Sequence, residues 1–172
     1  MSIVAVKFEQ DYITIAADSG DIWGDTVTVD PGNKLWKITP LLFVGAVGPS
    51  SVGTMMKHYL TAHIPQDNTE TEWLKFAKDF RRYCIEHGLD STVASFLVVY
   101  DGLVWRINGM HVVEIKTFDA IGAGRPYALA ALQLGHDVED AVNVACDLCI
   151  QCVGFPVAAL VMARQENSDA CR

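Results

Sequence analysis

Three blocks of alternating apolar residues, separated by pairs of amphipathic helical patterns, constrain the fold of this chain more than anything else in it. Residues 2–8 set Ser2, Val4, Val6 and Phe8 against Ile3, Ala5 and Lys7, the period-two signature of a strand. The polar turn Glu9-Gln10-Asp11 sends the chain back as a second strand over 12–18. A loop containing Gly20, Gly24, Pro31 and Gly32 leads to strands at 34–38 and 41–47, divided at Pro40. Strands resume at 93–100, 103–107 and 111–116, joined by Asp101-Gly102 and Asn108-Gly109 turns, and a last strand covers 157–163.

Between these blocks the apolar spacing changes to that of helices. Val52, Met55, Met56, Tyr59 and Leu60 form one stripe, with Ser50 or Ser51 as its cap. Thr69-x-x-Glu72 is a capping box that opens a second helix, which buries Trp73, Phe76, Ala77, Phe80 and Tyr83 and ends at Gly88. A third helix follows Gly124-Arg125-Pro126, and a fourth runs from Asp137 to about Gln151. This order predicts an α+β sandwich in which two stacked antiparallel sheets carry a helix pair on each outer side. Four such layers bury both faces of each sheet, which accounts for an apolar content of 51%. A length of 172 residues favours one domain, expected over 1–164, followed by a polar tail at 165–172.

Composition narrows the function. A net charge of −8, with the acidic residues scattered, excludes a nucleic-acid partner, because phosphate contacts need clustered Lys or Arg. No apolar run reaches the roughly 18 residues that cross a bilayer, and residues 1–8 turn polar too soon for a signal peptide. A cytoplasmic protein is expected. Five cysteines is an odd number, which argues against a disulfide framework. Cys146, Cys149 and Cys152 form C-x-x-C-x-x-C inside a helical pattern, where buried structural thiols are favoured over a thiolate zinc or iron–sulfur site. Gly122-Ala123-Gly124 lacks the third glycine of a dinucleotide fingerprint.

The chemistry gathers at the start of the chain. Removal of Met1 leaves Ser2 carrying both a hydroxyl and a free α-amine. Such an amine, with an ordinary pKa of about 7.7–8.0, is suited to act as the base for its own nucleophile. Asp18 ends the second strand beside the beginning of the first, as hairpin pairing requires, and Lys34 opens the next strand. An ammonium nearby lowers the pKa of the amine, and the carboxylate holds the lysine in place. Gly45-Ala46-Val47-Gly48 lies between a strand and a helix, where glycine lets backbone N–H groups approach a developing oxyanion. Taken singly, each feature also has a plain reading: a surface ion pair, an ordinary turn.

Taken together, these residues resemble the β-type subunits of proteasomes and the related bacterial peptidase HslV, over nearly the whole chain to about residue 160. In those N-terminal nucleophile hydrolases an acidic residue follows the nucleophile by sixteen positions and a lysine by thirty-two, which from Ser2 are Asp18 and Lys34. Ile15-Ala16-Ala17-Asp18-Ser19, Asn33-Lys34-Leu35, Gly45-x-x-Gly48 and the run Ala120 to Ala128 are further similar segments. The resemblance implies a four-layer αββα fold in which Ser2 attacks a peptide carbonyl and its amine takes the proton. It implies that Lys34 tunes the amine, Asp18 orients Lys34, and the Gly45 amide binds the oxyanion. It further implies sodium or another alkali ion on the backbone carbonyls of Cys146, Cys149 and Cys152, with no other cofactor. The implied partners are unfolded polypeptide substrates, further copies of the chain in a ring or stacked rings, and an AAA+ unfoldase.

The chain departs from that pattern in four places. Serine stands where the family nearly always has threonine, and Ala123 stands where it has serine. The Asp and Ser pair that proteasomes carry near the final helix has no counterpart around Cys152–Phe155. Against HslV alone, the first strand also aligns with Met1 at the nucleophile position. Two alternatives stay open: a catalytically inactive ring or shell subunit, and an N-terminal nucleophile amidase acting on a small amide.

Overall fold

The computed structural model describes residues 2–30, 32, 34–153 and 158–163. Tyr12–Ala17 (β2) folds back on Ile3–Phe8 (β1) in antiparallel register, with Val4 opposite Ala17 and Phe8 opposite Ile13. The sheet continues on one side with Phe118–Gly122 (β10) and on the other with Ala158–Ala163 (β11), in the order β10-β1-β2-β11. A second antiparallel sheet contains Leu35–Thr39 (β5), Leu42–Val47 (β6), Ser95–Tyr100 (β7), Leu103–Asn108 (β8) and His111–Ile115 (β9), in that order.

Three cores define the layers. Val4, Val6, Ile13 and Ile15 of the first sheet pack on Phe43, Leu97, Val99 and Val104 of the second. The other face of the second sheet (Val44, Ala46, Phe96, Val98 and Trp105) lies under Ser50–Ala62 (α1) and Glu70–Glu86 (α2) through Met56, Leu60, Trp73 and Phe80. The other face of the first sheet (Ile3, Ala5 and Ala16) lies under Arg125–Gln133 (α3) and Val138–Leu148 (α4) through Ala128, Leu132, Ala141 and Val142. Alternate residues of each strand thus enter different cores, as period two demands, and the expected helix–sheet–sheet–helix sandwich forms.

Several local expectations change. The loop after β2 holds an antiparallel hairpin of Gly20–Trp23 (β3) and Thr26–Val29 (β4), whose second strand is exposed throughout and so leaves no burial pattern to read. β10 occupies residues read as a lead-in to α3; it pairs along β1 from Ile3–Gly122 to Lys7–Phe118. The N-cap of α1 is Pro49, without a side-chain bond, because Ser50 begins the helix and its hydroxyl is directed to Asp21 at 3.4 Å. α4 ends at Leu148, with Cys149 already extended. The second hairpin turn is Gly109-Met110, with Gly109 at φ +57, since Asn108 and His111 pair directly across it. The 165–172 tail lies outside the described residues, and so does the start of the expected 157–163 strand.

Candidate active site

One carboxylate organises the site. Asp18, which follows β2 and is 2% exposed, accepts the backbone N–H of Ile3 on Oδ1 at 2.9 Å. Its Oδ2 accepts Lys34 Nζ at 2.7 Å and the Val153 N–H at 3.3 Å. The Asp18 N–H in turn donates to the carbonyl of Ile3 at 3.2 Å. These bonds fix the start of β1, the entrance to β5 and the turn after α4 on a single side chain. Lys34, 8% exposed, also donates to the carbonyl of Gly20, so its ammonium is held by a carboxylate and a backbone carbonyl at once. The Ala46 N–H donates to the Lys34 carbonyl at 2.9 Å and carries this anchorage into β6.

Ser2 and Lys34 line the same narrow cleft, together with Asp21, Trp36, Ala46 and Gly48. The free space among them is about 20 Å³, room for about one water. Ser2 is itself 5% exposed, and its carbonyl lies where a Cβ on Gly122 would sit, 2.1 Å from that position. Gly122 has φ +103, so this close approach and its backbone conformation both require glycine.

Of the four residues assigned to catalysis from the sequence, Ser2, Asp18 and Lys34 lie together. Gly45 lies elsewhere. It occupies the middle of β6, where an added Cβ would fall 2.5 Å from Val4 Cγ1, so its lack of a side chain admits the facing sheet. Of the Gly45-x-x-Gly48 pair it is Gly48 that lines the cleft, where it leaves the sheet at φ +116 just beyond the last β6–β7 pair, Val47 with Ser95. Sequence reasoning missed Asp21, Trp36 and the Val153 amide, none of which carries a motif. Ser50 signalled only a helix cap.

Cys146 lies in the last turn of α4, Cys149 caps it, and Cys152 donates its N–H to the Cys149 carbonyl at 2.9 Å. Burial, reinforced by the Asp18 charge, pushes the Cys146 thiol up to about 12. The same two causes raise Cys152 further. Neutral thiols suit packing, and among the described residues no group of three or more His, Cys, Asp or Glu is placed to hold a metal ion. Carbonyls at a helix C-terminus are chemically suited to an alkali ion, although Cys149 would have to share its oxygen.

No family model matches the chain, and no curated protein matches it in sequence. Solved structures do match. BPH from Thiobacillus denitrificans superposes with a TM-score of 0.83 at 21% identity, covering 96% of this chain and 100% of that one. The same protein in complex with epoxomicin gives 0.82 at 21%, covering 95% and 99%. Eukaryotic HslV from Trypanosoma brucei gives 0.76 at 18%, covering 94% and 99%. Among the described residues no helix is long and apolar enough to cross a membrane. The likeness to these structures establishes the architecture: this chain has the fold of HslV and the proteasome β-type subunits.

Proposed function

We propose that the chain is a proteasome-like peptidase subunit that hydrolyses peptide bonds in unfolded polypeptides, with Ser2 as nucleophile once Met1 has been removed. One observation carries this reading: Ser2 shares a tight cleft with a buried lysine whose position is fixed by the carboxylate that also grips the next backbone amide. The Ser2 hydroxyl adds to the carbonyl carbon while the α-amine takes its proton, directly or through the single water the cleft admits. The Lys34 ammonium keeps that amine unprotonated beforehand by charge repulsion. The amide at Gly48, rather than that of Gly45, faces the developing oxyanion. The proton then passes from the amine to the departing nitrogen, and water resolves the ester that remains.

The fold and the exposed apolar residues Leu134, Leu148 and Ile150 on the α3–α4 side support a homo-oligomeric ring, and the same reading includes a cytoplasmic location and an AAA+ unfoldase partner. An alkali ion on the carbonyls of Cys146, Cys149 and Cys152 would stiffen the turn that brings Val153 to Asp18. It supplies no chemistry of its own.

The test is covalent labelling. A β-lactone or epoxomicin should modify the protein once, at Ser2, and Lys34→Ala should abolish the modification. Labelling that survives Lys34→Ala rejects the mechanism. A second reading, an inactive ring subunit, is favoured by Ala123, which supplies no hydroxyl beside the Gly122–Gly124 turn. Intact mass of the native protein separates the two, because a retained Met1 blocks the amine.

A further inference from the structure

Beside the Ser2 cleft, at the same end of the sandwich, a second and larger opening of about 340 Å³ is lined by Ser95, Arg106, Asn108, His111, Gly122 and Arg125. The register places it there. Val47 pairs with Ser95, Ser95 with Asn108, and Asn108 with His111, while Gly122 pairs with Ile3, the residue after Ser2. Val47 and Gly122 form the partition: a Cβ on Gly122 would stand 3.1 Å from Val47 Cγ1 and 2.1 Å from the Ser2 carbonyl oxygen.

The two guanidiniums are held from behind. Asp119, 4% exposed, accepts Arg106 Nη1 on Oδ2, and Arg125 Nη2 on Oδ1 at 3.3 Å. Arg125 Nε donates to the Ala120 carbonyl at 2.8 Å. Arg106 and Asp119 come from different sheets and meet in the gap between them, on the same strand faces as Val104 and Ile121 of the inter-sheet core. One carboxylate against two guanidiniums leaves a net positive charge, before His111 is counted, in a chain whose overall charge is −8. Each arginine retains N–H donors that this clamp does not use, in the forked geometry that matches a carboxylate. The clamp also removes much of the ordering cost of binding.

We propose that this opening is a subsite for an acidic side chain, an Asp or Glu carboxylate of the polypeptide whose scissile bond lies at Ser2. It rests on the peptidase reading for its occupant and gives that activity a preference for acidic residues near the cleavage point. The carboxylate is received between Arg106 and Arg125, with His111 and Asn108 at the rim.

The experiment uses the assembled protein and C-terminally amidated fluorogenic peptides that differ only in Glu or Gln at successive positions flanking the cleaved bond. At one position the Glu peptide should show about tenfold higher kcat/KM than its Gln counterpart, the worth of one charge-assisted hydrogen bond. That ratio should collapse towards one in Arg125→Gln and return in part in Arg125→Lys. Arg125 is half exposed, so the substitution leaves the inter-sheet pair of Arg106 with Asp119 in place. Fluorescence anisotropy with Ser2→Ala and labelled peptides reads the subsite without catalysis. Selective binding of the Glu peptide by Ser2→Ala, together with no cleavage of any peptide by the unsubstituted protein, upholds the subsite and rejects the peptidase reading. Equal treatment of Glu and Gln at every position, or a ratio unmoved by Arg125→Gln, overturns the proposal.

Discussion

At the scale of single residues, Asp18 shows how a buried charge is tolerated. Both carboxylate oxygens are occupied, by two backbone amides and one ammonium, so the desolvation cost is met by hydrogen bonds as well as by Coulomb attraction. Its neighbour Ser19 is the opposite case. The Ser19 hydroxyl is buried, and it has no hydrogen-bond partner among the described residues. An unmet buried hydroxyl costs about 1–3 kcal/mol, so Ser19→Ala should raise stability by about 1 kcal/mol in urea unfolding. A loss of stability of that size would show that the hydroxyl is bonded in solution. The ion pair of Asp18 with Lys34 was legible through the family resemblance, whereas the residues alone also read as a surface pair, which its burial overturns. The orphan at Ser19 was not, because hydrogen-bond satisfaction depends on what the fold brings near.

At the scale of elements, β6 and the residue that follows it carry two glycine functions that look alike in sequence. Gly45 and Gly48 are three residues apart, yet one faces the inter-sheet core and the other leaves the strand at positive φ. Gly45→Ala should therefore act on stability through overpacking against Val4, costing about 1–3 kcal/mol, seen as a lowered thermal midpoint. An unchanged midpoint with lost activity would instead place Gly45 against the substrate. The strands with strong alternation were readable because period two is a local property. The β3–β4 hairpin and β10 were hidden by glycine, by full exposure of β4, and by the proximity of β10 to a helix start.

At the scale of the whole molecule, the sandwich puts its chemistry at one open end and leaves an apolar surface on one side. Pro126, Tyr127, Leu134 and Leu148 border an apolar hollow between α3 and α4, with Leu134 80% exposed. If this side seats a neighbouring copy in the proposed ring, Leu134→Lys should shift the protein to a lower mass in native mass spectrometry while retaining its circular dichroism. An unshifted mass would remove that side from the ring contact. The candidate cleft is built from other elements: Ser2, β5, β6 and the start of α1 line it, whereas α3 and α4 cover the outer face of the first sheet.

The sequence by itself determined the order of strands and helix pairs, and with it the four layers, because side-chain periodicity and capping are written within a few residues of each element. It also returned Asp18 to the chain start through hairpin pairing, whereas Lys34 reaches that point only by the stacking of the second sheet. Tertiary structure alone decided which of Gly45 and Gly48 lines the cleft, and it alone set Arg106 and Arg125 around one buried carboxylate. Those outcomes depend on how two sheets stack, and stacking is fixed by contacts between residues far apart in the chain, which no local pattern records.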